Sequence, residues 1–483
     1  MAKYASVLGL VLFSLLWLGG CDQGALLPNQ APDTRIFLDG INLEGDDRLN
    51  SVVQLHWSGE DIDGYVKGFE LSFDGQSWTF VTQTDSTFRF DISPGVDTAD
   101  ITFYVRAIDN QDLADPEPAF LSVPIRNTPP TANFDTQNAL PDTVYSVGSI
   151  FFTVGDQDGL ETLDKTFIRV NEGPWIALGP QINFVSFVPT APETQGVQAS
   201  KLYVGTDAQL SQESWEGWNV GGDNRLYLRA QDISGTFSPT DSTEAFFLRT
   251  KGSDLLVVDD FKAVNPDPVY FPILEQVYPG YDYLNLRDEL PPFWDPTFGL
   301  FLELYDKVFW YSDGNAVASL SSQLLLEVAS SPIREYLNQG GKMFLTTQFP
   351  NSFSDKETGN TSRVFDFLPA DSLSTSNGQA RIPTNNALFP VGQGLSLFPD
   401  TLRSSEFISG VDPFYPRDPN NVLLEADVIT TGGWIGPRAV CSRDVSTEGT
   451  FMVFVSVELH KFRQDLIGLQ NFFDTVLNDE FNW

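Results

Sequence analysis

Hydrophobic and polar positions alternate in short runs along residues 31–250. The runs are rich in Val, Phe, Tyr, Thr and Trp, and turns of Gly, Pro and Asp separate them. Alternation with a period of two is typical of antiparallel strands that bury one face. The pattern therefore predicts two antiparallel β-sandwiches, over residues 31–128 and 129–250.

The two predicted sandwiches contain matching sequence stretches. "EDIDGYVKGFELSFDGQSW" aligns with "GDQDGLETLDKTFIRVNEGPW", which pairs Trp78 with Trp175, and "FYVRA" aligns with "LYLRA", which pairs Arg106 with Arg229. Asp74-Gly75 in the first copy predicts a tight hairpin turn, and the second copy carries an insertion over residues 179–225. Both copies resemble fibronectin type III and related immunoglobulin-like modules of bacterial surface proteins.

The pattern changes after Ser253 to continuous apolar runs that alternate with helical segments. Strands are predicted in "DLLVVDDF", "YDYLNLRD", "DKVFWYSDG", Lys342–Thr346 and "GTFMVFVSVEL", and helices around 270–277, before Gly340-Gly341 and over 464–477. Continuous apolar runs are typical of parallel strands that are buried on both faces. The alternation predicts an α/β doubly wound (flavodoxin-like) domain over residues 253–483, with a long irregular insertion at 351–417.

The segments "LLVVDD", "LYDKVFWYSDG", "YLNQGGKMFL" and "GTFMVFVSVEL" resemble the class I glutamine amidotransferase-like fold, including its non-amidotransferase relatives. Active members place a Cys or Ser on a sharp elbow after the strand that corresponds to Lys342–Thr346. Here the sequence is "FLTTQFPNS", with no Cys and no flanking Gly. The resemblance therefore implies a degenerate domain.

A residual enzyme is the competing interpretation of this domain. His460 and Glu458 lie near the position at which that family keeps its histidine and acid, and Thr347 or Ser352 would supply a hydroxyl. Such a protein would be a hydrolase or amidase of envelope or carbohydrate substrates, with His460 as its base. A half-exposed polar histidine at the end of a strand is the structural alternative.

Three carboxylates follow predicted strands of the same domain. In open α/β sheets ligands bind at the carboxyl ends of the strands, so Asp259, Asp260 and Asp313 are candidates for a ligand pocket. The same acids also resemble those of a phosphoacceptor receiver domain, in which they hold Mg²⁺. Export argues against a receiver, because its phosphate donor is a cytoplasmic kinase. Capping of the following helices is the plainer role.

Acidic turns recur in both sandwiches. Carboxylates that are closely spaced in a loop supply the oxygen ligands that Ca²⁺ prefers. The candidate ligands are Asp61, Asp63, Asp156 and Asp158, with Asp109, Asp112 and Asp115 as further acids. The spacing of an EF-hand is absent, and Asp and Gly are also common turn residues. No other cofactor is expected.

The insertion contains two tryptophans in "ESWEGWNVGGDN". Trp215 and Trp218 stand beside acids and glycines, so exposed indoles at these positions would stack on sugar rings. Burial of both rings as anchors of the loop is the alternative, because indoles are most often buried.

The N-terminus indicates export. Residues 5–18 are almost wholly apolar but too short to span a bilayer, which predicts a signal peptide over residues 1–20. "LGGC" resembles the lipobox of bacterial lipoproteins, in which Cys21 becomes the first mature residue and carries the lipid. Residues 21–30 would then be a tether. A plain signal followed by a buried cysteine is the alternative.

Composition narrows the function classes. The chain has 28 basic and 65 acidic residues and a formal net charge of −37, so nucleic acid is not an expected partner. It has two histidines, His56 and His460, which nearly excludes a multi-histidine metal site. If Cys21 is acylated, Cys441 is the remaining thiol and no internal disulfide is expected.

These features together predict an exported, lipid-anchored protein of the bacterial cell envelope. We expect it to sit at the outer membrane or the cell surface, although Asp22 resembles the inner-membrane retention signal of some enteric bacteria. Its expected role is the non-catalytic binding or scaffolding of a protein or glycan partner. The alternatives are the His460 hydrolase and a calcium-dependent adhesion protein.

Overall fold

The computed structural model describes the chain in twelve segments. They are residues 28–38, 48–90, 92–93, 95–262, 265–287, 290, 294–314, 323–349, 362–373, 380–398, 400–430 and 436–481. The described residues are mostly β-strand and fall into two compact units. The first unit ends at Pro130 and also holds Gly155–Leu163 and Gln231–Phe237, and the second unit holds the rest. Cys21 and Ser352 lie outside the described residues.

A β-sandwich forms from the strands up to Arg126. The strands are β1 (Asp33–Leu38), β2 (Leu49–Asn50), β3 (Val52–Glu60), β4 (Val66–Ser72), β5 (Thr79–Val81), β6 (Asp85–Arg89), β7 (Thr98–Asp109) and β8 (Ala119–Arg126). One sheet has the order β1-β3-β6 and the other β2-β8-β7-β4-β5. Alternate residues of β3 are buried, namely Val53, Leu55 and Trp57. The predicted antiparallel sandwich is confirmed here.

The predicted tight hairpin at Asp74-Gly75 is wrong. β4 ends at Ser72 and β5 begins at Thr79, so the connection is longer than two residues. Gly75 has a φ of +67°, whereas Asp74 is not in the left-handed region. The Asp74 carboxylate instead accepts hydrogen bonds from the backbone N–H groups of Gln76 and Ser77, at 2.8 and 2.7 Å. A side-chain acceptor thus stabilises a wider loop.

The second β-sandwich follows directly. Its strands are β9 (Thr131–Phe134), β10 (Thr143–Val144), β11 (Gly148–Gly155), β12 (Leu163–Val170), β13 (Ile176–Leu178), β14 (Phe184–Pro189), β15 (Gly196–Val204), β16 (Gln209–Val220), β17 (Gly222–Asn224), β18 (Leu226–Asp232), β19 (Asp241–Ser242) and β20 (Phe246–Leu248). The sheets have the orders β10-β20-β17, β16-β15-β14-β11-β9 and β13-β12-β18-β19. This second antiparallel sandwich is also confirmed.

The predicted insertion at 179–225 forms regular strands. β14, β15 and β16 pair in sequence and extend the sheet of β11 and β9. Trp215 and Trp218 in β16 have no exposed surface, and the Trp218 ring stacks on Phe187 with a centroid distance of 3.7 Å. The sugar-stacking interpretation of both tryptophans is therefore wrong, because their ring faces are covered by the sandwich core.

The last part of the chain is built on a nine-stranded mixed sheet. Its strands are β21 (Leu255–Asp260), β22 (Asp282–Asn285), β23 (Lys307–Ser312), β24 (Lys342–Thr347), β27 (Ala387–Pro390), β28 (Leu402–Arg403), β31 (Val422–Ala426), β33 (Ala439–Ser446) and β34 (Gly449–Val455). The order is β22-β21-β23-β24-β34-β33-β31-β27-β28. The strands pair in parallel from β22 to β34 and antiparallel beyond it.

Helices accompany this sheet. The α-helices span Asp267–Val277, Gly299–Leu302, Leu325–Val328, Ser330–Asn338, Gly394–Leu397 and Leu466–Asp474. Short 3₁₀ turns span Leu160–Thr162, Arg363–Asp366, Pro419–Asn421 and Leu459–Lys461, and π turns span Trp294–Phe298 and Thr475–Glu480. Gly340, with a φ of +95°, follows the helix that ends at Asn338, as predicted. None of the described helices combines the length and apolar composition that a membrane-spanning helix needs.

The stretch 351–417 was predicted to be irregular, and its described part is not. It contains β25 (Ala370–Leu373), β26 (Ala380–Ile382), β29 (Ile408–Val411) and β30 (Phe414–Pro416), besides β27 and β28. β25 pairs with β30, and β26 pairs with β29 and with β32 (Ile429–Thr430). These strands are short, and the high content of Ser, Asn and Pro in this stretch is typical of loops, so the sequence pattern did not indicate them.

Cys441 lies in β33 and has no exposed surface. It is a free thiol, in accord with the sequence prediction, and burial raises its pKa above the usual range.

Candidate functional site

The carboxyl ends of the parallel strands bring several predicted residues to one edge of the nine-stranded sheet. In the strand register Asp259 lies beside Tyr311, Asp260 beside Ser312, and Ser312 beside Thr347. Because successive residues of a strand point to opposite faces, Asp259 and Asp260 face different sides of the sheet. The two acids thus belong to two separate polar clusters.

Asp259 is fully buried and forms an ion pair with Arg287. Arg287 Nη2 lies 2.7 Å from Asp259 Oδ2, and the Tyr283 hydroxyl donates to the same oxygen at 2.6 Å. The Phe261 N–H donates to Asp259 Oδ1 at 3.0 Å. These contacts occupy both oxygens of the Asp259 carboxylate and hold the group in place. The carboxylate is therefore engaged within the protein.

Arg287 also joins a second acid to this cluster. Its Nη2 lies 3.2 Å from Asp267 Oδ2, and the Tyr311 hydroxyl donates to Asp267 Oδ1 at 2.7 Å. Sequence reasoning missed Tyr283, Arg287 and Asp267 as partners of the strand-end acids. One signal for such a partner is present in the sequence. Arg287 stands at the end of the predicted strand "YDYLNLRD", which follows the predicted strand that ends in Asp259 and Asp260.

Asp260 lies on the opposite side and, unlike Asp259, forms no ion pair within the described residues, although the charge of Lys262 acts on it. The Ser312 hydroxyl donates to Asp260 Oδ2 at 2.9 Å, and burial raises the pKa of Asp260 to about 8. Asp313 follows Ser312, the strand neighbour of Asp260, and accepts a hydrogen bond from the Lys262 N–H at 2.7 Å. At neutral pH Asp260 is therefore mostly protonated and behaves as a neutral polar group.

The predicted catalytic residues do not form a hydrogen-bonded chain in the described structure. His460 is 3 % exposed, its ring lies edge-on to Phe261 and Tyr270, and its Nδ1 has no hydrogen-bond partner. Burial lowers the pKa of His460 to about 3. Glu458 pairs with Lys461. The hydroxyl of Thr347 donates to the Gln348 carbonyl at 3.3 Å.

The acidic turn of the first sandwich holds the chain segment that enters it. The Asn29 side-chain amide donates to Asp109 Oδ2, and the Gln30 N–H donates to Asp63 Oδ2 at 3.1 Å. Asp61 lies close enough to Asp63 and Asp109 for their charges to raise its pKa, although burial is the larger cause. The turn thus serves as an acceptor for the linker.

The second acidic turn repeats this arrangement within the same compact unit. The Asn127 side-chain amide donates to Asp232 Oδ2 at 2.5 Å, and the Thr128 N–H donates to Asp158 Oδ2 at 2.8 Å. The Ser51 hydroxyl donates to Asp158 Oδ1. In both turns the sequence places an Asn and then a backbone donor ahead of the sandwich, which sequence reasoning missed.

The predicted calcium ligands divide into these two sets. Asp61 and Asp156 each retain one buried oxygen without a hydrogen-bond partner. Across the described part of the chain, no group of three or more His, Cys, Asp and Glu side chains is arranged to hold a metal ion. The observed role of Asp63, Asp158 and the neighbouring acids is hydrogen bonding to the linkers.

Chelation of calcium is expected to leave the melting temperature unchanged within about 1 °C, because a chelator destabilises a protein only where the folded state binds the ion. Differential scanning calorimetry of the full chain with EDTA, and then with excess CaCl₂, measures this. In contrast, Asp158→Ala is expected to lower stability by about 1–3 kcal/mol, because the donors on Ser51 and Thr128 lose their acceptor. A drop of several degrees with EDTA that CaCl₂ reverses would establish calcium sites instead.

Solved structures match part of the chain at low sequence identity. No protein-family model and no curated protein matches the chain. The solved fibronectin(III)-like modules of Clostridium thermocellum CbhA match at 13% identity over 44% of this chain and 94% of theirs, with a TM-score of 0.18. The central fibronectin-III array of RIM-binding protein matches at 14% identity over 46% and 69%, with a TM-score of 0.14. Cadherin domains 3–6 of protocadherin gamma B2 match at 13% identity over 48% and 56%, with a TM-score of 0.15.

Proposed function

We propose that the chain is a non-catalytic binding or scaffold protein of the bacterial cell envelope. In this proposal Cys21 carries a lipid that holds the chain at the outer membrane or the cell surface, and the partner is a protein or a glycan. Fibronectin-like and immunoglobulin-like sandwiches serve many functions, so the proposal rests on the nine-stranded sheet and its strand ends.

The order of the parallel strands supports a flavodoxin-like core in the last domain. Counted along the chain, the parallel strands β22, β21, β23, β24 and β34 stand in the spatial order 2-1-3-4-5. This is the order of flavodoxin-like sheets, which bind ligands at the carboxyl ends of their strands. It is consistent with a degenerate relative of the amidotransferase-like fold.

The environment of Thr347 carries the proposal. In active members the nucleophile follows the strand that corresponds to β24, where it stands on a tight turn. Here β24 continues through Thr347, which is fully buried and whose hydroxyl donates to the next carbonyl. A hydroxyl becomes nucleophilic only when a base accepts its proton, and the Nδ1 atom of His460 accepts none from the described residues.

The charges around His460 also favour binding over catalysis. A general base works best when its pKa lies near the ambient pH, whereas burial keeps the pKa of His460 at about 3. The neighbouring Glu458 is held by Lys461 instead of orienting the imidazole. The histidine thus has the surroundings of a packed core residue.

Replacing His460 by alanine is expected to leave partner binding intact. The full chain is purified from its membrane fraction together with the partners that it captures from native membranes. The amount and the molecular mass of each captured partner are then followed by mass spectrometry over several hours. Wild type and His460→Ala should retain the same partner, unmodified, at the same level, at a temperature where thermal shift shows both folded.

The matched control is His56→Ala, which removes the only other histidine of the chain. If wild type and His56→Ala release or cleave the captured partner over time, and His460→Ala does not, the chain is a hydrolase or amidase. That result would replace the binding proposal by its enzymatic alternative.

A further inference from the structure

A cleft opens in the first sandwich between the last strands of its two sheets. β6 ends one sheet and β5 ends the other. The cleft has a volume of about 660 Å³, which lies within the roughly 300–1,000 Å³ of small-molecule sites. We call it the edge cleft. Its lining includes the buried side chains of Trp57, Leu71 and Ser72 and the more exposed ones of Phe73, Val81 and Phe88.

The edge cleft belongs to the sandwich that lacks the insertion. In the first sandwich β5 ends at Val81, and β6 already begins at Asp85 in the opposite sheet. In the second sandwich the insertion follows the corresponding strand β13. It contributes Phe187, Trp215 and Trp218, whose rings pack together without exposed surface. These rings have no counterpart in the first sandwich.

Two phenylalanine rings give the edge cleft an apolar surface. Phe73 is 51% exposed, and its ring centre lies 5.6 Å from that of Phe88, with the two rings nearly perpendicular. The Phe73 ring also contacts the buried ring of Phe103 at a centroid distance of 5.3 Å. These contacts hold Phe73 in place while about half of the residue stays open to solvent. An exposed aromatic ring in a fixed position offers a surface on which a ligand ring stacks.

Polar side chains without internal partners stand beside these rings. Thr79, Gln83 and Ser86 line the edge cleft, and none of their side chains forms a hydrogen bond with another described residue. Asp85 also lines it and accepts one long hydrogen bond, from the Gln54 amide at 3.4 Å. The cleft therefore offers hydroxyl and amide donors together with hydroxyl, amide and carboxylate acceptors.

Hydrogen bonds fix the backbone that carries these groups. The Trp57 indole N–H donates to the Gln83 carbonyl oxygen at 2.8 Å, and the Trp57 backbone N–H donates to the Thr84 carbonyl oxygen at 2.8 Å. Elsewhere in the lining, the Ser77 hydroxyl donates to Asp74 Oδ2 at 2.8 Å. A site that is ordered before its ligand arrives loses less conformational entropy on binding.

The charges of the edge cleft disfavour ionic ligands. Among the described residues that line it none is Lys, Arg or His, whereas Asp74 and Asp85 are acidic. Anions are repelled by these carboxylates and by the net charge of −37. For a cation, the donors of its own loop already occupy both oxygens of Asp74. Asp85 is exposed, and an exposed ion pair contributes only about 0–1 kcal/mol.

A hydroxylated ring suits the edge cleft better than an apolar side chain of a protein partner. An apolar side chain would displace water from Thr79, Gln83 and Ser86 without replacing its hydrogen bonds, which costs free energy for each group left unpaired. A pyranose ring carries hydroxyls around its edge and C–H groups on its faces. It would therefore contact the aromatic rings and satisfy the polar groups at the same time.

We propose that the edge cleft binds a neutral glycan of β-linked, gluco-configured pyranose units. The ring substituents of such a unit are equatorial, so its faces carry only C–H groups and stack on Phe73. Its hydroxyls donate to the Asp85 carboxylate and accept from the Gln83 amide. This rests on the proposed binding function, and it narrows the partner from a protein or glycan to an uncharged glycan.

The test is isothermal titration calorimetry of the full chain with cellotetraose and with tetra-N-acetylchitotetraose. The chain is kept in a polyoxyethylene detergent, because a detergent with a sugar headgroup would compete for the cleft. We expect at least one of the two oligosaccharides to bind, with little dependence on salt, because both are uncharged. The same oligosaccharide with its C6 atoms oxidised to carboxylates should not bind.

The double variant Phe73→Ala/Gln83→Ala is expected to bind about tenfold more weakly or worse, because it loses the stacking surface and one hydrogen bond. The matched control is Phe120→Ala/Gln76→Ala. It removes a phenylalanine that is 66% exposed and an exposed glutamine, both of the same sandwich and neither of them in the lining of the cleft. The control should bind as wild type does.

Gln83→Ala alone serves if the double variant loses its circular-dichroism spectrum. The Gln83 side chain is exposed, and only the backbone carbonyl of this residue holds Trp57. Loss of one hydrogen bond is expected to weaken binding about fivefold.

Three results would overturn the site: no binding of either oligosaccharide by wild type, equal binding of the oxidised form, or equal binding by the folded cleft variant. Tighter binding of an octalysine peptide, lost in the cleft variant, would assign the cleft to a basic protein instead. None of these results bears on partner retention in the His460 experiment. Conversely, shortening of the oligosaccharide by wild type but not by His460→Ala would refute the non-catalytic proposal, whereas the cleft variant still decides the site.

Discussion

Replacing Arg287 by methionine is expected to destabilise the nine-stranded sheet by about 3–5 kcal/mol, because removing one partner of a buried ion pair leaves the other uncompensated. Asp259 has no exposed surface, and Arg287 is its cationic partner at 2.7 Å. The loss is measured as faster hydrogen–deuterium exchange of the amides of β21 and β22, which reports local stability in a chain of several domains.

Two further variants decide what causes the loss. Arg35→Met removes an arginine that is 63% exposed and lies 3.5 Å from Asp33, and it should change stability by less than about 0.5 kcal/mol. Adding Asp259→Asn to Arg287→Met should restore part of the stability, because the fully buried carboxylate is removed, whereas Asp267 still lacks its cationic partner. If Arg287→Met exchanges as slowly as wild type, the ion pair does not hold this edge of the sheet.

Replacing Asp260 by asparagine is expected to stabilise the chain at pH 9 and to change little at pH 5. In the folded chain Asp260 keeps its proton up to a pKa of about 8, whereas its ordinary pKa is 3.8. The folded state thus binds more protons between these values. The stability from the protonated form is fully present below about pH 4 and falls by about 1.4 kcal/mol per pH unit until pH rises through 8.

Asparagine stays neutral and can still accept the hydrogen bond from Ser312. Melting curves of wild type and Asp260→Asn at each pH should therefore diverge as pH rises, with the variant higher. Asp33→Asn, which changes a carboxyl that is 72% exposed, should follow the wild-type curve. Parallel curves for wild type and Asp260→Asn would show that Asp260 does not titrate in this window.

Other buried groups shape the same profile. Burial raises the pKa of Asp412 to about 7, which adds a loss of stability toward alkaline pH. His460 acts in the opposite sense, because its pKa is lowered from 6.5 to about 3. Its stabilising contribution is present above pH 6.5 and is lost as pH falls toward 3. Between about pH 4 and pH 6.5 the loss from the two carboxyls exceeds the gain from His460, so these three groups together favour the lower end of that range.

Sequence periodicity predicts where the strands lie, but it does not predict which strands and side chains pack against them. The alternation in β3 and the apolar run of β21 follow from local burial, so both strands were predicted. Whether Trp215 faces solvent depends on which strand lies over it, and "ESWEGWNVGGDN" contains no sign of the Phe187 partner. The alternating pattern of β16 was obscured by acids and glycines.

The same limit applies to the candidate sites. The repeat alignment pairs Trp78 with Trp175 and Arg106 with Arg229, and in each module the arginine stacks on the tryptophan of the same module. The ion pair of Arg106 with Glu70 depends on which residues of adjacent strands stand side by side, and a sequence repeat does not show that. Likewise the close spacing of the acidic turns indicates ion ligands, whereas the donors that they bind, Asn29 and Asn127, lie far away in sequence and show no such pattern.

The environment of Cys441 makes its thiol a built-in probe for local unfolding of the nine-stranded sheet. Covered on all sides in β33 and reluctant to ionise, it stays inert toward alkylating reagents while the sheet is closed. In a chain whose Cys21 is acylated, or replaced by serine, a fluorescent maleimide therefore marks only those molecules whose sheet has opened. The labelling rate then reports opening of this one domain, without an introduced cysteine and with no signal from the sandwiches, which contain no cysteine.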